Sequence, residues 1–149
     1  MERSFWIMIG SVVIGAVLVV KGGIQMSKDA SSSSGSNVIA AANGAKDEAA
    51  KSVLQNAIEA AKTYSLTGTY NGWTPAQGRS IEPSIRWAGS TPARANVVSI
   101  DLAAGDQLVM STKSASGKPF CIADNAGVVA YGRMDGAGAT AATSCTGGW

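Results

Sequence analysis

Reactive side chains are scarce in these 149 residues. Histidine is absent, which removes the commonest general base and the commonest transition-metal ligand together. Cys121 and Cys145 are the only thiols, too few for a structural zinc site without histidine. Serine and threonine are plentiful, yet no Gly-x-Ser-x-Gly elbow sets a nucleophile beside a base. No glycine-rich loop followed by Lys and Ser/Thr offers a phosphate cradle. Asp101, Asp106, Asp124 and Asp135 fall near turns. Asp124 and Asn125 would hold calcium weakly through oxygen, and capping a turn is the plainer use of such residues. The expectation is no enzyme, no catalytic residue, no cofactor and no metal.

The two cysteines have another use. Two readings compete: a disulfide in an oxidising compartment, or a pair of buried free thiols in a reducing one. A Cys121–Cys145 bridge would close a loop of about two dozen residues and add roughly 3 kcal/mol in the chain-entropy picture. The N-terminal residues favour the bridge, because they lead the chain out of the cytoplasm.

Those residues are Phe5, Trp6, Ile7, Met8, Ile9, Gly10, Ser11, Val12, Val13, Ile14, Gly15, Ala16, Val17, Leu18, Val19 and Val20, a run with no charge. Counted from Ser4 it has about 17 residues, the short end of a membrane-spanning helix, and Lys21 can snorkel if the span runs on to Met26. Phe5 and Trp6 stand where an interfacial aromatic belt would be. No small-x-small cleavage site follows Val20 closely, the next residues being Lys21, Gly22, Gly23 and Ile24, so retention is favoured over removal as a secretory signal. Ser11 and Gly15 have the small-xxx-small spacing that lets helices approach in lipid, although small residues are common in such helices generally. Arg3 before the run and Lys21 and Lys28 after it leave the charge bias undecided, so the bridge sets the topology, with the C-terminal part outside.

The elements that follow must position everything else. Length allows one domain plus an anchor. The expected division is 1–26 for the anchor, 27–37 for a Ser-rich linker and 38–149 for the domain. Ser27 to Asn37 reads SKDASSSSGSN, which is flexible linker chemistry. An amphipathic helix is expected over about 45–65, with a start as early as Val38. Its core stripe is Val53, Leu54, Ala57, Ile58, Ala61 and Tyr64, and its polar side carries Lys46, Asp47, Glu48, Lys51, Gln55, Glu59 and Lys62. Gly68 ends the pattern. Tyr70, Trp73 and Trp87 then sit among Gly and Pro in an ordered loop, as core aromatics or, more sharply, as a sugar platform.

Three strand-like runs come next, over 96–102, 107–112 and 119–123, joined by short turns, with 128–131 as a candidate fourth. In the first, alternation puts Val97, Ser99 and Asp101 on one side and Val98, Ile100 and Leu102 on the other. Short turns between neighbours imply an antiparallel meander. The tail from Gly136 to Trp149 has little to bury, and the bridge would pin it to the sheet. The fold class expected is therefore α+β: an apolar transmembrane helix, then an amphipathic helix packed on a meander of three to four strands closed by a disulfide.

Ala49 to Tyr64, AAKSVLQNAIEAAKTY, followed by Gly68-Thr69-Tyr70, resembles the exposed half of the N-terminal helix and the following loop in type IV pilins and pseudopilins, especially the compact pilins of Gram-positive bacteria. Phe120-Cys121-Ile122 with the late Cys145 resembles their C-terminal disulfide-bounded loop, and the apolar run is the third match. Two family features are missing. Phe5 follows Ser4 rather than Gly, and no acid occurs within residues 5 to 28. The resemblance implies a structural or minor subunit of a pilus or secretion filament, assembling through its apolar helix. Its partners would be itself or other pilin-like subunits and the membrane, with no nucleic acid, in keeping with a net charge of only +2. The location implied is a single-pass membrane protein with its C-terminal domain outside, or an extracellular filament. The departures leave a second expectation, a tethered recognition domain that does not polymerise and whose surface uses Tyr70, Trp73 or Trp149.

Overall fold

The structure, a computed structural model, describes residues 33–136 and 138–149. The apolar run Phe5 to Val20, the rest of the anchor expected over 1–26, and linker residues 27–32 lie outside the described residues. Among the described residues no helix is long and apolar enough to cross a membrane.

The protein is α+β. Helix α1 runs from Ser33 to Tyr64, 32 residues, and so begins inside the stretch expected as linker. Ala40, Ala41 and Ala42 explain the extension: alanine has the highest helix propensity, and the helix already running from Lys46 propagates backward through them at little cost. A 3₁₀ turn, Ser65–Thr67, tightens the end, and Gly68 stops it at φ 108°. Of the stripe, Leu54, Ala57, Ile58 and Ala61 are buried, and Val53 and Tyr64 pack partly buried against the same core. Ala57 and Ala61 let the helix axis lie close to the sheet, while Leu54 and Ile58 fill the space between helix and sheet.

The segment expected as a loop contains a short helix, α2, Pro75–Ile81. Thr74 precedes it in extended conformation, and Pro75 sits in the first turn, where its missing N–H costs nothing. Gly78 is the close-contact point: a Cβ there would come within 2.6 Å of the Trp87 indole. Trp87 stacks edge-on against Trp73, with centroids 5.5 Å apart, and donates its indole N–H to the Glu82 carbonyl. Tyr70, Trp73 and Trp87 are all buried, so these rings are core and present no sugar platform.

The sheet has five strands in chain order: β1 Trp87–Ala88, β2 Val98–Ala104, β3 Gln107–Lys113, β4 Pro119–Asn125 and β5 Val128–Gly132. The last four form the antiparallel meander, and the two-residue β1 pairs parallel with β2. Loops of two residues, Gly105-Asp106 and Ala126-Gly127, join β2 to β3 and β4 to β5. The alternation expected along β2 fails after Ile100. Ile100 pairs with Met110 and Leu102 with Val109, leaving Asp101 as the extra residue of a bulge. Leu102 therefore lies with Val109 on the face away from α1, rather than with Val98 and Ile100.

Two cores result. The larger lies between α1 and the sheet and includes Leu54, Ile58, Trp73, Met110, Phe120 and Ile122. The smaller lies on the opposite face, where Val109, Cys121 and Ala123 are covered by Ala142 and Cys145 of the tail.

Candidate assembly surfaces

Cys121 and Cys145 form a disulfide, with Cα atoms 5.8 Å apart. The bridge holds a 3₁₀ turn, Ala142–Ser144, over the outer face of β4. From Cys145 the chain then crosses the edge of β5. Gly132 and Gly147 pair, and Arg133 and Gly148 donate to the carbonyls of Thr146 and Tyr131. Only glycine fits at 132, because a Cβ would collide with the Thr146 backbone. The tail ends on the helix face, where Trp149 stacks edge-on against Tyr131 at 4.7 Å and donates to the Cys121 carbonyl at 2.9 Å. The ammonium of Lys51 lies 5.7 Å from the same indole. The tail thus clamps both faces of the sheet, and Trp149 is half-buried in that clamp.

α1 has two parts. From Asp47 onward it lies on the sheet. Asp47 is buried and accepts from Ser114 Oγ at 2.7 Å, from Ser116 Oγ and from Lys118 Nζ at 2.7 Å, all in the loop between β3 and β4. The Lys118 ammonium, followed by the two hydroxyls, holds the carboxyl well below the usual carboxylate range. Before Asp47 the helix extends past the sheet for nearly four turns, roughly 20 Å at 1.5 Å per residue. On this extension Val38 is 69% exposed and Ile39 64%. Sequence periodicity placed Asp47 on the polar side and gave no sign that it anchors the point where the helix leaves the sheet.

The ends of the domain differ in charge. Where α1 emerges lie the start of β2, the end of β3, the start of β4 and the end of β5. Arg86 passes its carbonyl to Val98 N–H, Arg94 passes its own to Lys113 N–H, and Arg133 directly follows β5. Arg86, Arg94, Arg133 and Lys46 are exposed and make no ion pair among the described residues. Lys113 and Lys118 at the same end pair with Asp135 and Asp47.

The opposite end holds an open groove of about 380 Å³, lined by Leu66, Tyr70, Asp106, Asp124 and Gly127 among others. Asp124 is buried, accepting from the Tyr70 hydroxyl at 3.0 Å and the Gly127 N–H at 2.7 Å. Burial, followed by this carboxylate, pushes the Tyr70 pKa up to about 12. Asp106 is exposed with no ion pair among the described residues, and Leu66 is 86% exposed. Lys62 at the rim is paired with Glu59 at 3.8 Å.

A third polar group is closed off. Asp101 at the bulge accepts from Ser99 Oγ at 2.8 Å, while its other oxygen and the Ser111 hydroxyl have no hydrogen-bond partner. Burial raises its pKa, partly offset by the neighbouring Ser111 and Ser99 hydroxyls. Among the described residues no cluster of side chains has the make-up of a metal site. The Asp124-Asn125 pair considered for calcium instead caps the Ala126-Gly127 turn through Asp124.

No protein-family model, no curated protein and no solved structure matches this chain.

Proposed function

We propose that this protein is a structural or minor subunit of a type IV pilus-like or secretion filament, held in the membrane before assembly by its apolar N-terminal run. The carrying observation is the extension of α1 beyond the sheet. Nearly four turns of helix stand clear of the sheet with Val38 and Ile39 exposed, and the charge-free run Phe5 to Val20 precedes this helix in the chain. Exposed apolar residues on such a helix gain free energy when they are covered, and neighbouring helices of the same kind cover them without a further ligand. The disulfide and the tail clamp suit a domain that works outside the cell, where no chaperone restores it.

The test is the intact mass and N-terminal sequence of the native protein from washed membranes and from the sheared surface fraction. A filament subunit is recovered in the sheared fraction, with its disulfide intact. A full-length chain found in membranes alone would sink this reading and leave a tethered extracytoplasmic domain.

A further inference from the structure

We infer that successive subunits stack head to tail, with the basic end of one domain seated on the acidic groove of the next. The inference rests on the filament reading and specifies its interface. Lys46, Arg86, Arg94 and Arg133 are exposed where α1 leaves the sheet and form no ion pair among the described residues. At the other end Asp106 is exposed, likewise without an ion pair among the described residues, beside the buried Asp124 in a groove open to solvent. Most of the domain's other ionised side chains are already matched within it: Lys51 with Glu48, Lys62 with Glu59, Lys113 with Asp135 and Lys118 with Asp47. Arg79 and Glu82 of the α2 region are also without an ion pair among the described residues, and at the two ends themselves the unpaired charge differs in sign, four cations against Asp106.

Apolar exposure follows the same division. Leu66 and Val128 stand out at the groove end, 86% and 70% exposed, and Val38 and Ile39 beyond the basic end. A second copy in the same orientation satisfies the charge complementarity. Two such copies meet through different surfaces, and a heterologous contact whose rotation does not close propagates as an open filament. Each exposed ion pair contributes little by itself, so the contact gains its effect by repeating at every subunit and weakens with salt.

The test is charge reversal in the full chain expressed in its own cells, read as the amount of protein in the sheared surface fraction. Membrane levels and disulfide oxidation serve as the folding control. Arg94→Glu with Arg133→Glu, and separately Asp106→Arg, should each lower the sheared protein roughly ten-fold, the effect of about 1.4 kcal/mol per contact. All three changes in one chain should restore most of it. Reversals that leave the yield unchanged, or a triple variant as poor as its parents, overturn the stacking and leave the filament reading standing. Wild-type protein missing from the sheared fraction overturns both.

Discussion

Asp47 and Asp101 are both buried aspartates, and their surroundings drive them in opposite directions. Asp47 faces an ammonium and two hydroxyls, so its folded-state pKa is depressed. Its stabilisation is fully present above the unfolded value near 4 and is lost as pH falls through the folded value. Asp47→Ala should cost about 2 kcal/mol at neutral pH, and urea titrations across the acid range should show the variant losing less stability than the wild type. Asp101 is desolvated with one oxygen unpartnered, so its folded-state pKa is raised. Such a group destabilises the fold increasingly as pH rises from the unfolded value toward the folded one. Asp101→Asn should therefore raise stability at neutral pH, with no gain below pH ~4. A neutral-pH loss in the same melts would show that the carboxylate serves the fold in a way its contacts do not reveal.

At the scale of elements, two positions report on backbone fit. Ala126 holds φ 52° at the first position of the tight β4–β5 loop, followed by Gly127 at φ 87°. Alanine lacks the side chain that eases this conformation, whereas Asn-Gly is the favoured pair for such a hairpin. Ala126→Asn should stabilise the domain by about 1 kcal/mol in equilibrium denaturation. Gly78→Ala should do the reverse, because α2 can only rest on the Trp87 ring without a Cβ; a loss of about 2 kcal/mol with a shift in indole fluorescence is expected. The β2 bulge has its own consequence. By adding Asp101 it turns Leu102 to the outer face, where the smaller core needs an apolar side chain beside Val109.

For the whole molecule the bridge is the main fastening. Its loop spans a sequence separation of 24, and the tail it holds has few apolar side chains apart from Ala142 and Trp149. Cys121→Ser with Cys145→Ser, or a reductant, should cost about 3 kcal/mol. It should also free Trp149 from Tyr131 and the Cys121 carbonyl, which near-ultraviolet circular dichroism would detect. Unchanged Trp149 signals after reduction would mean that the clamp closes on its hydrogen bonds alone.

What the sequence by itself determined is local. The 3.6-residue recurrence from Val53 to Tyr64 marks the buried face of α1, and the short turns around Gly105 and Gly117 dictate a meander, because both depend on neighbours a few residues apart. The cysteine pair was legible for a different reason, since two thiols leave only one bridge to form. Tertiary structure alone decided the rest. Asp47 meets Ser114 across 67 residues and Tyr70 meets Asp124 across 54, and no periodicity carries such a pairing. The helix at Pro75–Ile81 is too short and too polar to show an apolar stripe, and it exists because Gly78 lies flat on Trp87. The gathering of arginines at one end is likewise invisible along the chain. Arg86, Arg94 and Arg133 come from three separate connections, and only the folding of the sheet brings them to the end from which α1 emerges.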